Sequence, residues 1–186
     1  TIDSFTDSEV TVSWTAGATE TDWEIVVQAD GTGTPGGSGT ATTNNPHTAS
    51  GLSEQTAYEV YVRADCTGAS NGYSQWVGPV NFTTSCAAIV PDYIANMSTN
   101  VPDSCWEEAD NGDDISGPSN LGSGSWYASN HNGTPSNAIN LWLASKSDWI
   151  ISPEFDLSAA APSELEVYVA LTNSGTSGTG ESMGSD

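Results

Sequence analysis

The densest chemistry in the sequence is the run Glu107-Glu108-Ala109-Asp110-Asn111-Gly112-Asp113-Asp114. Calcium takes roughly six to eight oxygen ligands, and clustered Asp, Asn and backbone carbonyls in a Gly-containing loop supply such a set. Asp110, Asn111, Asp113 and Asp114 are the candidate ligands. The spacing departs from the D-x-[DN]-x-[DN]-G register, so it is not diagnostic, and a merely solvated acidic loop is the competing reading. Aromatic rings offer a second chemistry, because sugar faces stack on them. Trp126, Tyr127 and Trp142 lie among Asn, Ser and Gly, a setting suited to glycan contact. The competing reading makes these strand aromatics part of a core. Trp76, beside a Gly/Ser/Asn turn, reads as a packed hairpin residue.

Catalytic patterns are missing. The only histidines are His47 and His131. His47 takes an alternating position ahead of Leu52, and His131 falls in the turn-like Ser129-Asn130-His131-Asn132-Gly133. No nucleophile elbow, zinc motif or phosphate-binding Gly loop occurs. Paired carboxylates of the glycosidase type stay open in so acidic a chain, but no cleft scaffold for them is legible. The expectation is a protein that is not an enzyme. Asn81, Asn96 and Asn132 begin Asn-x-Ser/Thr sequons.

The charge balance narrows the partners. Arg63 and Lys146 are the only basic side chains of the 186 residues, against 24 Asp and Glu, for a formal charge of −22. Nothing is present to neutralise phosphates, which excludes nucleic acid and anionic membrane surfaces as partners. Divalent cations are the favoured counter-ions. No run approaches the roughly 18 apolar residues of a membrane span, so membrane insertion is not expected.

Stepping along the chain, the first half reads as short strands of period two between turn-rich segments. Val10, Val12 and Trp14 share one face, as do Trp23, Ile25 and Val27. Gly31 to Asn45 reads as a long loop or a weak edge hairpin. Tyr58, Val60, Val62 and Ala64 alternate inward against Glu59, Tyr61 and Arg63, and Val80, Phe82 and Thr84 close the set. Leu165 to Ala170 reads as a further alternating strand. With no helical periodicity anywhere, the fold class is all-β.

Two segments carry family resemblances. Trp14, and Leu52 six residues before Tyr58 in LSEQTAYEVYVRAD, make residues 1–85 resemble a fibronectin type III domain, an immunoglobulin-like sandwich. The resemblance implies a tyrosine corner, with the Tyr58 hydroxyl tying down the preceding turn. Cys86, Cys105-Trp106, the segment DWIISPEFDLS (148–158) and the alternating strand make residues 86–186 resemble the MAM-like, choice-of-anchor J jelly-roll β-sandwich of secreted Bacteroidota proteins. Such jelly rolls often carry structural calcium in loops like 107–114. The resemblance also implies that opening residues of the first strand precede Thr1. Likewise it implies that the second domain is incomplete, with strands to follow Asp186.

The cysteines are read on that fold. Cys66 ends one strand and Cys86 follows its hairpin partner, so they sit at opposite ends of the sandwich. A disulfide needs Cα atoms within about 7 Å. Cys86–Cys105 is the expected pair, and Cys66 awaits either a partner upstream of Thr1 or a life as a buried free thiol.

Both families are scaffolds without chemistry of their own. The resemblances imply a non-catalytic binding or adhesive segment of a large secreted or cell-surface multidomain protein, an adhesin-like stalk. Its partners would be extracellular glycans or proteins and further domains of the same chain, with export by the type IX route. The alternative is an accessory module, carbohydrate-binding among other options, of a secreted hydrolase or peptidase.

Overall fold

The computed structural model describes residues 1–69, 71–95, 97–100, 105–140, 147–158 and 162–172. The chain is all-β, and it separates into two compact units, Thr1–Ala87 and Ala88–Asp186.

Unit 1 holds seven strands: β1 (Ile2–Phe5), β2 (Glu9–Val12), β3 (Trp23–Ala29), β4 (Thr40–Thr42), β5 (His47–Ser50), β6 (Ala57–Ala64) and β7 (Val77–Thr83). They form an antiparallel three-stranded sheet, β1-β2-β5, and an antiparallel four-stranded sheet, β4-β3-β6-β7. Period-two alternation turns Val10 and Val12 of the first sheet toward Ile25, Val60 and Phe82 of the second, making one buried cluster. Trp14 lies two residues past β2 and meets Trp23 edge-on, with ring centroids 5.5 Å apart. The Ser53 N–H donates to the Tyr58 hydroxyl at 2.9 Å, the tie expected of that tyrosine.

The outer face of the four-stranded sheet departs from simple alternation. Glu24, Glu59 and Tyr61 were expected to face solvent but are buried. The Gly-rich segment after β3 lies across Glu24 and Glu59 and supplies the edge strand β4, while the Tyr61 ring lies against Gly78, where an added Cβ would come within 2.7 Å of it. Glu59 accepts from the Gly33 N–H at 2.6 Å and from Gln28 Nε2 at 2.8 Å. Glu24 accepts the Gly39 N–H at 3.2 Å and two Arg63 donors, Nε at 2.8 Å and Nη2 at 2.6 Å. The Arg63 guanidinium lies over the rings of Tyr73 and Trp76, 4.1 and 4.4 Å from their centroids. Gly39 has no room for a side chain, since an added Cβ would come within 2.7 Å of the Ile25 carbonyl and 2.9 Å of the Trp76 ring.

Unit 2 contributes β8 (Glu107–Asp113), β9 (Gly117–Leu121), β10 (Trp126–His131), β11 (Thr134–Ile139) and β12 (Asp148–Ile151). They form a sheet of order β12-β8-β9 and a β10-β11 hairpin, all antiparallel. Two sequence expectations change here. Residues 107–113 are a strand rather than a loop, because β9 and β12 give that acidic backbone hydrogen-bonding partners on both sides. Leu165–Ala170 is not a strand, and Leu165, Val167, Tyr168 and Val169 stand exposed. Alternation marks which side chains share a face, but a strand also needs a neighbour for its N–H and C=O groups.

Cys86 and Cys105 are disulfide-bonded, as expected, and Cys66 is a half-buried free thiol. Among the described residues, no helix is long and apolar enough to cross a membrane.

Candidate functional site

The side chains with chemistry left to offer gather on β8. Successive residues of a strand point to opposite faces, so Glu108 and Asp110 share one face while Ala109 is fully buried on the other. The chain leaves β9 through Gly122, whose φ of +81° is a left-handed conformation suited to glycine. The Gly122 N–H donates to the Glu108 carbonyl at 2.8 Å, pulling the Gly122-Ser123-Gly124 turn over the strand. At Gly124 an added Cβ would sit 2.1 Å from Glu108 Oε2, so glycine lets that carboxylate lie against bare backbone. Trp126 opens β10 directly after the turn. Together with Asn100, these groups line a solvent-open cavity of about 540 Å³.

Amide donors hold the two carboxylates in place. Asn100 Nδ2 donates to Glu108 Oε1 at 2.6 Å. Asp110 Oδ1 accepts from Asn111 Nδ2 at 3.1 Å and from Asn120 Nδ2, its cross-strand neighbour on β9. Among the described residues, no basic side chain lines the cavity. Trp126 lines the cavity, and its indole Nε1 is buried without an acceptor.

The four candidate calcium ligands take different roles. Asp110 faces the cavity. Asn111 has a left-handed φ of 62°, and its carbonyl accepts the Trp149 indole N–H at 3.0 Å. Asp113 caps the β8–β9 turn: its Oδ1 accepts the Ser116 N–H at 2.7 Å and the Ile115 N–H at 2.9 Å. Those two backbone donors, Ser116 first, hold the Asp113 carboxyl below the ordinary aspartate value. Asp114 is exposed within the turn. The described residues contain no group of three or more His, Cys, Asp or Glu side chains placed to hold a metal ion. Asp110 faces the cavity, whereas Asp113 and Asp114 lie at and within the β8–β9 turn.

The three glycan candidates also separate. Trp126 is half-buried at the cavity wall, and Tyr127, its neighbour on β10, is 49% exposed on the other face of the strand. Trp142 lies outside the described residues. Among the histidines, His47 is half-buried on β5 with Nδ1 2.9 Å from Thr42 Oγ1, and burial lowers its pKa. His131 ends β10 beside the hairpin turn. Neither lines the cavity.

The sequence did not single out Glu108, Asn100 or the 122–124 turn. Glu108 and Asp110, two residues apart, carry a strand signal that becomes visible only if residues 107–113 are read with period two.

No protein-family model matches the chain, and no curated protein matches it.

Proposed function

We propose that this chain is a non-catalytic binding and adhesive segment of a secreted or cell-surface multidomain protein, and that the unit 2 cavity is its glycan-recognition site. The observation that carries this reading is the cavity lining. One aromatic wall stands beside an acceptor-rich floor of Glu108 and Asp110, with Asn100 and Ser123 adding polar groups. Sugar rings ask for that combination, an apolar face to stack on and fixed groups for their hydroxyls. A fibronectin type III identity for unit 1 is supported by its three- and four-stranded sheets and by the Tyr58 tie. The Cys86–Cys105 disulfide supports an oxidising, extracellular setting. Glycan-array screening of the intact chain tests the reading. At least one saccharide class should be retained, and Trp126→Ala should weaken it by roughly tenfold or more, the scale of one lost stacking contact. An array with no retained glycan overturns the proposal.

A further inference from the structure

We infer that the unit 2 cavity selects saccharides bearing free amino groups, an inference that rests on the glycan reading above and narrows its ligand. Among the described residues the lining offers two carboxylates and no cation. Glu108 Oε1 and Asp110 Oδ1 are each anchored by a neutral side-chain amide, from Asn100 and Asn120, which orients the acceptors without cancelling their charge. Within the described residues the one basic side chain, Arg63, is committed to Glu24 in unit 1. A uronic, sialic or sulfated sugar would therefore enter a site of its own sign, inside a chain of formal charge −22. Repulsion between like charges at contact distance disfavours it. A neutral sugar would satisfy the acceptors with hydroxyls. An ammonium group on the ring gains charge-assisted hydrogen bonds to the same two carboxylates, which are shorter and roughly twice as strong as neutral ones. The glycine wall at 122–124 leaves room for a ring to approach, and Gly124 keeps the Glu108 carboxylate against the backbone. Trp126 distinguishes an amino sugar from a bare ammonium, because the ring gives the pyranose an apolar surface to cover.

Isothermal titration of the full chain with three β-1,4-linked tetramers tests this: glucosamine, N-acetylglucosamine and glucose. The pH must be acid enough to keep the glucosamine amines protonated. Tetraglucosamine should bind roughly tenfold or more tightly than either neutral tetramer, on the scale of one charge-assisted contact. Glu108→Gln and Asp110→Asn should each bring it to the level of the neutral tetramers. The Glu9→Gln/Glu164→Gln double variant removes two exposed carboxylates elsewhere and should leave the preference intact, which separates the site from the overall charge. Equal binding of all three tetramers overturns the amine preference while the glycan reading stands. Loss of preference in the Glu9/Glu164 control also overturns it, as a general charge effect. Tetralysine binding as tightly as tetraglucosamine, with the same response to Glu108→Gln, overturns the saccharide part. No binding of any tetramer overturns the inference, and an empty array beside it overturns the glycan reading too. Should both carboxylate variants fail to fold, the wild-type comparison of the three tetramers and tetralysine still decides.

Discussion

The two units treat their carboxylates in opposite ways. In unit 1, Glu24 and Glu59 are buried and closed off: one is paired with Arg63 and Gly39, the other with Gln28 and Gly33. In unit 2, Glu108 and Asp110 face an open cavity and accept hydrogen bonds from the side-chain amides of Asn100 and Asn120. A carboxylate taken out of water must be paired, whereas one at an opening keeps its capacity for a ligand. Glu24 and Glu59 are thus structural, whereas Glu108 and Asp110 are available. A cluster of Val10, Val12, Ile25, Val60 and Phe82 closes unit 1, while among the described residues of unit 2 the buried ones are Ala109 and Pro153.

The largest effect expected from this contrast is at Arg63. Its side chain is 15% exposed and that of Glu24 is 6% exposed, so Arg63→Ala strands a buried charge and also removes the cation held between Tyr73 and Trp76. Urea unfolding should show a loss of about 3–5 kcal/mol. A loss below about 1 kcal/mol, the range of exposed pairs, would break the contrast.

Tyr58→Phe should cost about 1 kcal/mol, one hydrogen bond to the Ser53 N–H, while the ring keeps its contact with Phe82 at 5.7 Å between centroids. Glu108→Gln, in the open cavity, should shift stability by about 0.5 kcal/mol or less. If Glu108→Gln destabilised more than Tyr58→Phe, the cavity carboxylate would be structural after all, and the difference between the units would vanish.

Much of unit 1 was legible because period-two alternation reports which side chains a sandwich buries. Val10, Val12, Ile25, Val60 and Phe82 all followed it into the core. Burial of Glu24 and Glu59 was not legible, because the covering segment has no apolar pattern. It is held by the Gly33 and Gly39 N–H groups, which every sequence carries silently. Unit 2 reverses the lesson. The strand at 107–113 owes its form to neighbours on both sides, not to its composition, so an acidic run read alone becomes a loop. Leu165–Ala170 shows the converse, a strand-like composition without a strand. The cavity became visible only with the first of these, since its floor is the strand at 107–113.

The smallest expected effect, and the one that most sharpens the difference between structural and available carboxylates, is at Asp113. It lies on the same strand as Asp110, yet its oxygen is spent on the Ser116 and Ile115 N–H groups. Its carboxyl is held below the ordinary aspartate value, so the contribution to folding is present above the unfolded-state pKa. That contribution is lost as pH falls through the lower, folded-state pKa. Amide hydrogen exchange at Ile115 and Ser116 should therefore quicken in Asp113→Ala relative to wild type. The difference should shrink as acid protonates the wild-type carboxyl. Turn capping by a carboxylate needs no metal, so chelation should leave this exchange difference unchanged. A calcium site at Asp110, Asn111, Asp113 and Asp114 makes the contrary forecast. Calcium would then slow exchange and raise Tm beyond what sodium chloride does at equal ionic strength. That response would require the turn to release Asp113 and the three aspartates to converge. Its appearance would move Asp113 from the structural carboxylates to the available ones.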